Sequence, residues 1–353
     1  MMDTQNKQIP ASIPLYPQDH LAAKGFFYVG GQYERQNDGR HLMYGQMYVE
    51  VYEPKEVKRP VPLVLFHGAG QTAVNWMGTP DGRPGWLDLF LRMGYVVYLV
   101  DQPARGRSVY HPSKNGALKY MSAEQCRKTF ANQIPTHTQW PGRYADEDAV
   151  FDAFYASQVE FITDTQLGQQ MVLNAGKQLL EMLGKAVLIA HSQAGPFGWV
   201  LGDACPDQVA ALVEIEPSGP PFANWYPLHG RCRPYGLTEI PLRYDPPINP
   251  PEWWRDVEKP IPPIERANDW LQQEPAGQLV NLLKIPQLLL TAEASYHQEY
   301  DCVTAAYLKQ AGVPVDAVSL PNICIHGNGH MMMLEKNNAE IAEYIDSWLI
   351  ARI

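Results

Sequence analysis

The sequence predicts an α/β fold in which helices flank a mostly parallel central sheet, and two observations carry this prediction. Several runs of strand length are continuously apolar, as expected for strands that are covered on both faces. These runs are "PLVLFHG", "YVVYLVDQ", "AVLIAHS", "ALVEIEP" and "PQLLLTAE". Longer segments between them repeat apolar residues at i, i+3, i+4 and i+7, which is the pattern of amphipathic helices. Buried strands that alternate with helices indicate a parallel sheet with helices on its faces.

The elements follow in chain order. Ahead of the first apolar run, "HLMYGQMYVEVYEP" alternates apolar and polar residues, which predicts a half-buried antiparallel strand. The helical pattern appears in "GWLDLFLRMG", "TQLGQQMVLNAGKQLLEMLG", "YDCVTAAYLKQAG" and "NNAEIAEYIDSWLIARI". Several of these segments end at glycine, a common residue after a helix. No internal repeat is visible, so we expect a single domain over residues 1–353.

One region breaks the alternation of strands and helices. Between residues 222 and 283 prolines crowd together with aromatic residues, as in "YDPPINPPEWWRDVEKPIPP", and no strand pattern is visible. A long irregular segment between two strands is typical of an insertion over the sheet. We expect it to form a cap or lid whose aromatic side chains, among them Trp253, Trp254 and Tyr226, offer apolar walls. Trp253 and Trp254 are our candidate substrate contacts.

Ligands of open α/β sheets bind beyond the carboxyl ends of the strands. Ser192 lies at such an end, between the strand "VLIAH" and the segment "QAGPFGW". A nucleophilic serine needs a sharp strand-to-helix turn with small residues two positions before and after it, and Ala190 and Ala194 occupy those positions. The turn alone also fits a serine that caps a helix. The order of serine, acid and histidine along the chain is what favours a nucleophile.

Several segments resemble the α/β-hydrolase superfamily, and within it a branch typified by a bacterial esterase with adjacent cysteines beside its oxyanion hole. The segments are "FFYVGGQY", "QMYVEVY", "HGAGQTAVNWMGTPDGRPGWLDLFLRMGYVVYLVDQPARGRS", "AHSQAG", "VEIEPSG" and "IHGNGHMMMLEKNNAEIAEYIDSWL". They leave out residues 1–24 and 222–283. Ala69 and Gly70 stand where the typical esterase has its cysteine pair, and the insertion is longer here. The resemblance implies an α/β-hydrolase fold.

The resemblance also implies a catalytic triad with Ser192 as nucleophile, His330 as general base and Glu216 as the acid that orients it. From spacing alone His326 is nearly as good a base as His330. Glu293 ends the strand after that of Glu216, at the point where many α/β-hydrolases carry their acid. The resemblance is what favours His330 and Glu216 over these alternatives.

The two histidines of "HGNGH" would form a metal pair if they lay on one helix. Gly327 and Gly329 make a helix there unfavourable, so we expect no metal and no cofactor.

A tetrahedral intermediate needs N–H donors for its oxyanion. We expect the backbone N–H of Gln193, directly after the nucleophile, and that of Ala69, in the loop after "VLFHG", to supply them. The segment "DQPARGRS" contains no phosphate-binding glycine motif. We therefore expect its arginines, Arg105 and Arg107, to anchor the loop.

Charge and composition limit the partners. The net charge is -10, with 28 basic against 38 acidic residues, and no basic run is visible, so we expect no nucleic acid partner. No apolar run approaches the roughly 18 residues of a membrane span. The scattered cysteines and a chain start without signal-peptide features predict a cytoplasmic protein. A homodimer is compatible with the sequence.

We therefore expect a serine esterase that cleaves a small-molecule carboxylic ester, with a bulky hydrophobic or aromatic group, through an acyl-enzyme. Two alternatives stay open. The same triad could serve a lyase, isomerase or cyclisation reaction, because fold and triad do not determine the net reaction. The chain could also be a ligand-binding receptor, although a receptor has no need of an intact Ser192, Glu216 and His330.

Overall fold

The structure is a computed structural model, and it describes residues 9–10, 12–143, 147–225 and 230–353. Two sequence-based expectations, one on the start of the chain and one on the aromatic residues of the cap, involve residues outside these ranges. The first part of the chain start, residues 1–8, and the cap residue Tyr226 lie outside the described residues.

An eight-stranded sheet forms the centre of the fold. Its strands are β1 (Leu21–Arg35), β2 (His41–Pro54), β3 (Leu63–Phe66), β4 (Val97–Asp101), β5 (Ala186–His191), β6 (Val209–Ile215), β7 (Gln287–Thr291) and β8 (Val315–Ser319). They lie side by side in the order β1-β2-β4-β3-β5-β6-β7-β8. Only β2 runs antiparallel to its neighbours, β1 and β4, and the other adjacent pairs are parallel. The predicted mostly parallel sheet is confirmed.

Helices accompany the sheet along the described chain. They are α1 (Val74–Met77), α2 (Trp86–Arg92), α3 (Pro112–Asn115), α4 (Ala123–Phe130), α5 (Ala149–Ala156), α6 (Thr165–Leu183), α7 (Gly195–Ala204), α8 (Glu252–Arg255), α9 (Asp301–Gln310) and α10 (Asn338–Arg352). The four helical patterns of the sequence correspond to α2, α6, α9 and α10. Within the described residues, no helix combines the length and the apolar character that a membrane crossing requires.

The central strands are buried because helices cover both faces of the sheet. Successive residues of β5 show this: Leu188 belongs to one apolar cluster, whereas Val187 and Ile189 belong to another. Residues of α6, α7 and α9 complete the first cluster, and residues of α2 and α10 complete the second. Strands covered in this way must be apolar on both sides, which is why the sequence shows continuous apolar runs.

The segment 222–283 adds no strand to the central sheet among its described residues. It contains α8 and two short strand pairs, Ala223–Asn224 with Gly230–Arg231 and Tyr244–Asp245 with Gln278–Leu279. Several of its aromatic rings join the apolar cluster of α7 and α9. The insertion therefore packs on one helical layer of the domain.

The start of α7 approaches the end of β6 and the segment after it closely. A Cβ atom at Gly195 would lie 2.3 Å from Cβ of Pro217, and one at Gly198 would lie 2.2 Å from Oε1 of Glu214. Close approach explains why this helix contains glycines, which otherwise weaken a helix.

We predict that Gly195→Ala lowers the free energy of unfolding by about 1–3 kcal/mol, because the added methyl group must displace the rigid ring of Pro217. Gly168→Ala, a substitution within α6, is the matched control. A Cβ atom at Gly168 would lie 3.5 Å from its nearest neighbour, the Ile162 side chain, which is an ordinary van der Waals distance. The control should be neutral or stabilising by up to about 1 kcal/mol. Urea unfolding of both variants measures the difference, and equal effects would contradict the packing argument.

Candidate active site

Ser192 directly follows β5 and begins a short 3-10 turn, Ser192–Ala194, that leads into α7. Its backbone is left-handed, with a φ of 56°, a conformation that strains residues other than glycine. The turn is held in part by the Ser218 N–H, which donates a 2.9 Å hydrogen bond to the Ser192 carbonyl. Ser192 lines a cavity beyond the carboxyl ends of the strands.

The candidate acids and bases form two separate pairs. Nδ1 of His330 lies 2.5 Å from Oε2 of Glu216, and both side chains are fully buried. Nδ1 of His326 lies 3.3 Å from Oε2 of Glu293, and the His326 side chain is 60% exposed. Glu293 also accepts a hydrogen bond from the Gly327 N–H at 2.8 Å. The pair that the resemblance favours is buried, and the alternative pair lies near the surface.

Two residues connect His330 to the serine turn and its cavity. Nε2 of His191, the residue before Ser192, lies 3.1 Å from the carbonyl oxygen of His330. The hydroxyl of Tyr296, which lines the same cavity as Ser192, lies 3.4 Å from Nε2 of His330. Because Glu216 engages Nδ1 of His330, Nε2 is the nitrogen available for proton transfer.

The ring of His330 stacks with two other rings. Phe130 stacks on it at 5.5 Å between centroids and 13° between planes. His297 stacks at 4.9 Å and 10°. His297 is itself fixed, since its Nδ1 lies 2.9 Å from Oδ1 of Asp301 and its Nε2 lies 3.0 Å from the Tyr300 hydroxyl. A second buried histidine–carboxylate pair thus supports the first.

Polar atoms of Glu216, His297 and His330 all lie within 4.8 Å of one another, as metal ligands do. Hydrogen bonds account for this grouping. Nδ1 of His330 and Oε2 of Glu216 bind each other, and both nitrogens of His297 are engaged by Asp301 and Tyr300. A metal ion would have to break these bonds, and the expectation of a metal-free site stays a prediction.

Burial and the neighbouring His297 lower the pKa of His330 well below its ordinary value. Burial alone would also lower the pKa of His297, but the carboxylates of Asp301 and Glu216 raise it above its ordinary value. The lowered pKa keeps His330 neutral at neutral pH, which is the form that a general base needs before it takes a proton.

The loop after β3 is fixed by polar side chains. The Gly68 carbonyl accepts a hydrogen bond from Arg105 at 3.3 Å and lies 3.0 Å from Nδ1 of His67. Burial and the nearby Arg105 cation lower the pKa of His67 to about 3, so this histidine is neutral. Ala69, the residue after Gly68, lines the cavity together with Gln193. The two expected oxyanion donors therefore border the same space as Ser192.

The cavity has a volume of about 590 Å³. Its walls combine apolar residues, such as Phe161, Ile162, Val172 and Phe197, with charged ones. Trp253 and Trp254 do not belong to its lining. This finding corrects the sequence-based choice of these two tryptophans as substrate contacts.

The tryptophans pack among other aromatic rings instead. Trp253 is 6% exposed, and its ring lies 5.0 Å from that of Trp270. Trp254 packs 5.9 Å from Phe222. Trp253 belongs to the apolar core and Trp254 packs against it, so both rings remove apolar surface from water and attach the insertion to the helical layer beneath it.

The family model described as "Alpha/beta hydrolase family" matches residues 63–344 of this chain. The chain belongs to the alpha/beta hydrolase family. This hydrolase is 43% identical over 334 residues to a protein named "Probable secreted lipase phiG" from Fungal sp. (strain ATCC 74256), in a match that covers 92% of this chain and 88% of the relative. A solved bacterial esterase structure superposes with a TM-score of 0.68 at 24% identity, covering 96% of this chain and 99% of that one. The predicted superfamily and fold are confirmed.

Sequence reasoning missed four residues of the site. Tyr296, His297 and Asp301 follow the end of β7, so inspection of that strand end could have found them. Arg233 also lines the cavity, but it lies in the insertion. Because the insertion has no periodic pattern, its sequence does not predict where Arg233 lies. Only the fold of the hydrolase brings it there.

We predict that His297→Asn raises the pKa of His330. The substitution removes His297, a residue that lowers the pKa of His330, while the carboxylates of Asp301 and Glu216 remain and favour protonated His330. NMR titration of nitrogen-labelled histidine should show His330 binding its proton at a higher pH than in the wild type. His326→Asn is the control, since its side chain is exposed and paired with Glu293. An unchanged His330 titration in His297→Asn would show that the stack is only a packing contact.

Proposed function

We propose that this hydrolase is a serine esterase that cleaves a carboxylic ester through an acyl-enzyme intermediate. The observation that carries the proposal is the buried 2.5 Å hydrogen bond between Glu216 and His330, whose carbonyl oxygen lies 3.1 Å from Nε2 of His191, the residue before the strained Ser192. The lipase name of the 43% identical relative supports an ester as the substrate. The intact pair and serine also argue against a receptor on a hydrolase scaffold.

In the proposed mechanism the Ser192 hydroxyl attacks the ester carbonyl, and Nε2 of His330 takes its proton. The Glu216 carboxylate stabilises the resulting imidazolium through Nδ1. The backbone N–H groups of Ala69 and Gln193 donate to the oxyanion of the tetrahedral intermediate. His330 then protonates the leaving alcohol, and a water molecule activated by the same nitrogen hydrolyses the acyl-enzyme.

We further propose that the insertion, residues 222–283, acts as a cap. Among its described residues, Asn224, Arg233 and Glu239 line the cavity. Phe161 and Phe197 also line the cavity, and its volume of about 590 Å³ suits a small-molecule ester with a bulky apolar or aromatic group.

We predict that Ser192→Ala abolishes labelling by a fluorophosphonate probe and lowers turnover of chromogenic acyl esters by at least about 10³-fold. The protein should remain folded, because only one oxygen atom is lost. Ser347→Ala, an exposed serine of α10, is the control and should behave as the wild type. Unaltered turnover in Ser192→Ala would end the serine-esterase proposal. Labelling of the wild type without turnover of any ester would instead favour a lyase, isomerase or cyclisation reaction.

The acid is tested by a matched pair of substitutions. We predict that Glu216→Gln lowers turnover on the order of 10³- to 10⁴-fold, because the amide no longer stabilises the imidazolium. Glu293→Gln should have little effect, since its carboxylate pairs with the exposed His326. Steady-state kinetics on one chromogenic ester measures both. A severe effect of Glu293→Gln with a mild one of Glu216→Gln would transfer the role of the acid to Glu293.

A further inference from the structure

The charged lining of the cavity is mostly basic. Its basic side chains are those of Arg105, Lys119, Lys128 and Arg233, and its acidic ones are those of Asp164 and Glu239. The two acidic groups are hydrogen-bonded within the protein, and they offset only part of the charge of the four basic groups. Asp164 accepts a 2.9 Å hydrogen bond from the Leu167 N–H as the N-cap of α6, and Glu239 accepts one from the Thr165 hydroxyl. An excess of positive charge therefore faces the space next to Ser192, in a chain whose net charge is -10.

Two of the basic groups are deeply buried. Arg233 is 3% exposed and Arg105 is 4% exposed. The Nε of each is buried and has no hydrogen-bond partner among the described residues. Burial of a cation costs free energy unless an anion or several hydrogen bonds compensate it. Neither arginine forms a salt bridge with a described carboxylate, and Asp101, the acid next to Arg105, pairs with Arg107 at 2.7 Å.

The two arginines differ in the groups to which they donate hydrogen bonds. Arg105 donates to the carbonyl of Gly68 at 3.3 Å and to Oε1 of Gln193 at 3.1 Å, so it contacts both segments that carry the proposed oxyanion donors. Arg233 donates only to neutral oxygens, Oδ1 of Asn224 at 2.9 Å and the carbonyl of Pro220 at 3.0 Å. These bonds orient the guanidinium of Arg233 but leave its charge uncompensated.

We propose that the cavity accepts esters that carry a second, anionic group, and that Arg233 binds a carboxylate of the substrate. The inference deepens the proposed esterase function and rests on it. A carboxylate matches the planar donors of a guanidinium and supplies the missing countercharge. Lys119 and Lys128, which are both exposed, lie at the rim of the same cavity and attract the anion as it enters. The substrate thus combines an ester, an apolar body and a carboxylate.

The test compares two matched series of substrates. One series consists of mono-4-nitrophenyl esters of adipic, suberic and sebacic acid, and the other of the same esters with the free carboxylate replaced by a primary amide. For the chain length that fits best, wild-type kcat/KM should be about 10- to 100-fold higher for the carboxylate, as expected for charge-assisted hydrogen bonds. Arg233→Met should bring this ratio close to one, and Arg233→Lys, which keeps the charge without the planar fork, should give an intermediate ratio.

Arg266→Met is the control, because Arg266 is an exposed arginine of the same insertion that does not line the cavity, and it should keep the wild-type ratio. A wild-type ratio of one or less at every chain length would overturn the inference, as would an unchanged ratio in Arg233→Met. If Arg233→Met does not fold, the wild-type ratio and that of Arg233→Lys decide. Failure of the esterase proposal is distinguishable, since the amide series would then also resist turnover and Ser192 would not be labelled.

Discussion

The buried hydrogen bond between Glu216 and His330 is the contact on which the rest of the site depends. It joins residues 114 positions apart, and it forms because parallel strands end at the same edge of the sheet. Neither group would be stable alone in this environment, since an unpaired buried charge is costly. The Ala292 N–H donates to Oε1 of Glu216 and the Ser295 hydroxyl donates to Oε2, each at 2.8 Å, so both carboxylate oxygens are hydrogen-bonded.

Packing beneath the serine turn holds the nucleophile in a strained conformation. A left-handed backbone at Ser192 costs free energy, and it persists because its surroundings leave no alternative. Gly195 allows α7 to begin against Pro217, and the Ser218 N–H binds the serine carbonyl. The two small residues around the serine can be alanines rather than glycines because the closest approach occurs further along, at Gly195 and Gly198.

The insertion performs two tasks with different residue types. Its tryptophans, such as Trp253 and Trp270, pack against one another and fasten the segment to a helical layer. Its polar residues, Asn224, Arg233 and Glu239, reach the cavity. Rigid aromatic packing supports a precisely oriented arginine, because a side chain can select a substrate only if the backbone beneath it is fixed. The local charge of the cavity is consequently opposite to that of the whole chain.

The sequence by itself determined six of the eight strands of the central sheet and the principal helices, because burial of an element leaves a periodic pattern that a single chain displays. The superfamily came instead from the resemblance of several segments to known α/β-hydrolases, and the candidate residues came from their places at the strand ends. The sequence could not decide which glutamate pairs with which histidine, since all four lie at plausible ends. The tertiary structure decided this pairing. It also decided that His297 stacks on His330 and that Arg233, rather than Trp253, lines the cavity. The periodicity of a sequence indicates which faces of an element are buried. The partners of a side chain depend instead on how elements that are distant in the chain pack together. The insertion has no periodicity, so its sequence predicts neither its burial nor its contacts.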